Sequence, residues 1–167
     1  MVLLTEGLIV WLHLVAASIW VGGSVFIGVI LSPMLNTITR TVEERIVLLI
    51  KIGRRFSYIA IPAFGILILT GIYNSKALLF EPSTLYQTSY GVILLIKIIL
   101  VVATLIAYII HVKIINSETE TRIVTGNASK AYIQSIRSKI ILLGRTIVIL
   151  SILILLLSAF LDVGGLF

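Results

Sequence analysis

His13, Lys97 and His111 are the side chains of this sequence best suited to chemistry, and each lies inside an apolar stretch long enough to cross a bilayer. A neutral imidazole is a metal ligand or a proton carrier. An ammonium near the centre of a membrane costs on the order of 2.5–3.5 kcal/mol on insertion scales, so Lys97 is expected to face protein or water and to need a counter-charge. Their spacing extends into polar stripes. On the third apolar stretch Lys97, Thr104, Tyr108 and His111 follow at intervals of seven, four and three residues, which at helical pitch puts them in one narrow sector. The first stretch matches it with His13, Ala16 or Ala17, Trp20 and Ser24. The fourth offers Ser151, Ser158 and Asp162. Three helices thus present polar faces to a common interior, a layout that suits a bound cofactor or an ion path. The structural alternative is that the hydroxyls bond back to their own helices and Lys97 snorkels.

The elements that must position these groups follow from composition. With 59% hydrophobic and 12% charged residues among 167, and a mean hydropathy of +1.19, the chain falls outside the range of soluble domains. The expected fold is all-α: one polytopic domain spanning residues 1–167, with four transmembrane helices near 7–32, 56–79, 90–115 and 141–161 in an antiparallel bundle. Met1 to Gly7 lacks a basic leader, so the first helix is expected to be retained. Lys and Arg concentrate in the connections 33–55 and 116–140, which assigns these to the cytoplasm and both termini to the outside of a multi-pass cell-membrane protein. The net charge of +6 is therefore read as topology and contact with anionic headgroups of the lipid bilayer, with no nucleic acid as partner. The absence of cysteine excludes disulfides, iron–sulfur clusters and thiolate metal sites.

Local signals refine the elements. The first helix is expected to end near Pro33, with Asn36 to Arg40 as a polar turn. Thr41-Val-Glu-Glu44 reads as a capping box opening the next helix. Pro62 predicts a kink there, and the segment Lys76 to Ser89 predicts an outer loop. Thr125-Gly126-Asn127 predicts a break in the inner connection.

Depth decides which polar groups meet. At about 1.5 Å per residue, His13 and Lys97 each lie roughly 10 Å from the outer boundary and His111 about 21 Å further along its helix. His13 and Lys97 are expected to share an outer site, with Glu6 and Asp162 as the charge partners of Lys97. His111 is either the anchor of a second, inner site or a hydrogen-bonded helix end. Met34 is level with it and is read as apolar filler.

The segment His13-Leu-Val-Ala-Ala-Ser-Ile-Trp20-Val-Gly22-Gly23 with Pro33, then Arg55-Phe-Ser57, Leu69-Thr-Gly71 and Tyr90-Gly91 before Lys97, resembles the copper resistance D (CopD) family of membrane proteins. The resemblance implies copper uptake or resistance, with His13 as the metal ligand. The first-helix His with Trp and Gly, the mid-helix Pro and the Lys then Tyr/His order also resemble the HemJ-type protoporphyrinogen oxidases. That likeness implies a b-type haem and, if the chain is an enzyme, an oxidoreductase.

Ligand chemistry does not separate the two, because Cu(I) prefers thiolate and thioether donors and the chain has only Met1 and Met34. A haem iron could take His13 or His111, with Lys97 on a propionate, Trp20 and Tyr108 lining the site, and Gly22, Gly23 and Gly65 making room for a planar ring. A third reading is a non-catalytic subunit of a larger membrane complex in which Lys97 pairs only with Glu6 or Asp162; a homodimer placing polar faces together is a further arrangement. No Ser/His/Asp set, phosphate loop or paired carboxylates support hydrolysis.

Overall fold

The computed structural model describes residues 2–75 and 84–164. Among the described residues, four helices are long and apolar enough to span a membrane: α1 (Leu3–Ile38), α2 (Val42–Asn74), α4 (Ser89–Ile114) and α6 (Lys130–Asp162). Two short helices accompany them there, α3 (Thr84–Gln87) before α4 and α5 (Ser117–Val124) between α4 and α6. No strand occurs among the described residues. The most extensive packing is between α4 and α6, then between α1 and α2; α1 also touches α6, and α2 touches α4. Neighbours run antiparallel, since His13 near the start of α1 meets Thr70 near the end of α2. Trp20 of α1 likewise meets Ser151 in the later half of α6.

Side-chain caps start the helices. The Thr41 hydroxyl accepts from the Glu44 N–H at 3.1 Å, and the Glu44 carboxylate accepts from the Arg40 N–H at 2.8 Å. In this box the glutamate reaches one residue further back than the usual pattern. Thr88, Asn116 and Ser129 accept in the same way from Gly91, Thr119 and Tyr132. The inner connection breaks at Gly126, whose φ of 73° is the left-handed backbone expected of Thr125-Gly126-Asn127. The predicted outer loop, including Lys76, lies largely outside the described residues, but Thr84–Gln87 within it is helical.

Pro33 does not end α1. The helix continues to Ile38 because its regular geometry is relaxed just before the proline. Two wide, π-helical turns, Ser18–Gly22 and Phe26–Leu31, interrupt α1. In the second, the Ser32 N–H bonds to the Ile27 carbonyl five residues back. The carbonyl row is thus already displaced where the proline enters, removing the collision that stops an ordinary helix. The polar turn expected at Asn36 to Arg40 shrinks to Thr39–Thr41, closed by Thr39 bonding back to the Leu35 carbonyl at 2.6 Å. α2 likewise continues through Pro62.

α2 and α6 have 33 residues each. At 1.5 Å per residue that is about 50 Å, against about 30 Å of hydrocarbon, so both project beyond the membrane on the basic side. Much of residues 33–55 and 116–140 is therefore helix, not open loop. The projecting ends pack with α5 into a cluster whose buried members are all isoleucine: Ile46, Ile50, Ile115, Ile123, Ile133, Ile136 and Ile140. Glu120 of α5 fastens it, accepting from Arg54 at 2.7 Å and lying 3.5 Å from Lys51, while Arg122 stacks over Tyr132. A second cluster lies within the membrane: Trp20, Ala60, Phe64, Ala107, Tyr108 and Ile147. Only the first is driven by expulsion of apolar surface from water; within lipid, packing and hydrogen bonds must hold the helices together. Ile50 is fully buried in the water-facing cluster. Ile50→Ala is therefore expected to destabilise the chain by about 2–5 kcal/mol, read as a lowered Tm in detergent, whereas Ile99→Ala on the exposed surface of α4 should leave Tm nearly unchanged.

Candidate functional site

A close polar contact between transmembrane helices joins His13 to a residue that the polar stripes did not include. His13 Nδ1 lies 2.6 Å from Thr70 Oγ1, while the Thr70 hydroxyl donates to the Ile66 carbonyl of its own helix, also at 2.6 Å. A hydroxyl has one proton. Where that proton goes to Ile66, His13 Nδ1–H donates to Thr70, and this tautomer leaves Nε2 with its lone pair free. Gly71 lies against the ring, where a Cβ would stand 3.8 Å from His13 Cε1, an ordinary contact. Thr70 is buried and His13 half-buried.

Lys97 lies within charge–charge range of His13, and its side chain is half-buried. It forms no ion pair with Glu6 or Asp162; among the described residues the ion pairs are those of Lys51 and Arg54 with Glu120. Glu6 and Asp162 are both exposed.

Trp20 is one tier deeper, seven residues along α1 from His13. It is 3% exposed, its ring 4.4 Å from that of Phe64 and 4.8 Å edge-on from that of Tyr108, and its indole N–H donates to Ser151 Oγ at 3.0 Å. Trp20 and Tyr108 are thus brought together as packing partners around a satisfied hydrogen bond. Gly23 offers no room for a flat ring, because a Cβ there would overlap Phe56. The Tyr108 hydroxyl lies beside Ser57 without a hydrogen bond of good geometry, and one turn further His111 Nδ1 is also buried without a partner. Most of the hydroxyls bond back to their own helices, as Thr104 does to Leu100 and Ser158 to Ile154. Three or more His, Cys, Asp or Glu side chains do not converge anywhere among the described residues.

A family model for copper resistance protein D matches residues 50–161. The chain belongs to the CopD family. The matched region runs from within α2 to the end of α6, so it includes Thr70, Lys97, Tyr108 and His111 and leaves His13 and Trp20 of α1 outside. Among curated proteins the chain is similar to the copper transport protein CutJ of Bacillus subtilis (strain 168), 33% identical over 113 residues. That alignment covers 68% of this chain and 20% of the relative, so the chain spans about a fifth of that protein's length. No solved structure matches.

The sequence reading had Thr70 only within the Leu69-Thr-Gly71 segment of the family resemblance and gave it no site role, although its level at the outer end of α2 matches the depth of His13. Thr70→Val keeps the shape and removes the acceptor. The expected result is a loss of about 1 kcal/mol of stability, the scale of a hydrogen bond between membrane helices, and a mixture of His13 tautomers in the ¹⁵N spectrum of labelled protein, where the wild type shows a single unprotonated Nε2.

Proposed function

We propose that this CopD-family chain handles copper within the membrane, with His13 Nε2 as the receiving ligand near the outer surface. The observation that carries the reading is the pair of 2.6 Å contacts His13 Nδ1–Thr70 and Thr70–Ile66, which support a tautomer with Nδ1–H donating to Thr70 and Nε2 free to bind. Such an oriented imidazole is a suitable copper donor.

The site's poverty of ligands is part of the reading. One imidazole next to the Lys97 ammonium holds a cation weakly, which suits cargo that must leave again rather than a resident ion. His111, about 21 Å further from Lys97 along α4, is the second proposed ligand, its Nδ1 free on the basic side. Trp20 and Tyr108 separate the two stations as a packed tier and are assigned no ligand role. Glu6 and Asp162, exposed at the outer end, are proposed to bring cations to the surface rather than to neutralise Lys97. Further donors would come from a second copy or from a larger assembly; the relative is itself longer, the matched residues covering 20% of it.

The test is copper accumulation by proteoliposomes containing the purified chain, combined with elemental analysis and an absorption spectrum. His13→Ala is expected to remove the outer copper site and H13A/H111A to abolish chain-dependent copper binding, while Thr70→Val weakens the outer site 10- to 100-fold, the usual effect of losing a partner that orients a ligand. Wild-type binding retained by His13→Ala would overturn the assignment. A Soret band that vanishes in the same variant would replace copper with haem.

A further inference from the structure

A groove opens between the inner half of α1 and α2, on the opposite side of the membrane from His13. Its walls are Phe26, Ile27 and Leu31 of α1 with Phe56 and Ile59 of α2, the Phe56 ring resting on Gly23, where the missing side chain admits it. The cavity measures about 410 Å³ and is lined almost wholly by apolar atoms. Its one charged end carries Lys51 and Arg55, four residues apart and so on one face of α2.

These two cations are poorly neutralised. Arg55 is exposed and has no ion pair among the described residues. Lys51 reaches Glu120 only at 3.5 Å, with its side chain 53% exposed, and that carboxylate is already engaged by Arg54 at 2.7 Å. An apolar channel in the membrane ending in two underused cations at the basic surface has the charge pattern of one class of occupant. We propose that this groove is a binding site for an anionic phospholipid of the cytoplasmic leaflet, its phosphate between Lys51 and Arg55 and an acyl chain along Phe26, Ile27 and Ile59. The chemistry is that of a cationic pair at the headgroup level of an anionic leaflet, reinforced by an apolar slot that a soluble anion cannot use. A second copy of the chain would bury the groove without supplying the anion that the cationic end calls for.

The proposal stands apart from the copper reading and is tested on the intact chain by native mass spectrometry after reconstitution with mixed phosphatidylglycerol and phosphatidylcholine. The expected result is retention of phosphatidylglycerol in preference to phosphatidylcholine, unaffected by added inorganic phosphate. K51A/R55A should reduce that preference on the order of tenfold, while K139A, an exposed cation elsewhere on the same side, leaves it unchanged. Ile59→Trp, which fills the slot without touching a charge, should reduce retention as well; monodisperse elution and an unchanged helical circular dichroism spectrum show that each variant is folded. Equal retention of the two lipids by the wild type, an equal effect of K139A, or a change of oligomeric state in K51A/R55A with lipid retention intact would overturn the proposal.

Discussion

Hydrocarbon offers no water to a polar group, so each hydroxyl, imidazole or indole N–H placed there must be satisfied by the chain itself. That constraint organises the membrane-embedded part of this protein. Threonine and serine meet it by bonding back to their own helices, as Thr104 and Ser158 do. Trp20 meets it across helices, through Ser151. His13 meets it halfway: its Nδ1 is held by Thr70, which also reaches the Ile66 carbonyl, and the second ring nitrogen is left over. His111 and Tyr108 do not meet it, and each keeps a buried polar atom without a partner. A site for a polar guest in a membrane is made from such remainders.

The remainders can persist because stability is supplied elsewhere. Beyond the membrane, the isoleucine cluster of α2, α5 and α6 buries apolar surface from water, and Glu120 ties α5 to α2. Within the membrane the central aromatic tier locks α1 to α2, α4 and α6 through ring contacts. His13 lies above that tier and Tyr108 and His111 at or below it, so the two ends of the molecule are separated by packed side chains. Any cargo passing from one end to the other requires this tier to rearrange, and the wide turns of α1 at Ser18–Gly22 and Phe26–Leu31 flank it on the most distorted of the four helices.

The four spans were legible because a run of about 20 apolar residues has few other uses, and the opening of α2 was legible because Thr41 and Glu44 stand at capping spacing. Family membership was also legible, although the residues of α1 that first pointed to it lie outside the matched region. The continuation of α1 past Pro33 was not legible, since it depends on a π-helical turn for which no residue pattern is diagnostic. Nor was Thr70. Stripe analysis follows one helix at a time, and a lone threonine on α2 makes no stripe; its pairing with His13 arises only when the registers of α1 and α2 are set against each other. The exposed positions of Glu6 and Asp162 have the same origin, because depth along a helix places a carboxylate level with Lys97 without turning it towards the ammonium.

The central claim is that His13, oriented by Thr70, is the residue that receives copper, and the most direct measurement is X-ray absorption at the copper edge on the copper-loaded chain. The account expects the multiple-scattering signature of imidazole in the wild type, its reduction in His13→Ala, its loss in H13A/H111A, and its retention in Lys97→Met under substoichiometric copper. Imidazole scattering undiminished in His13→Ala would contradict it.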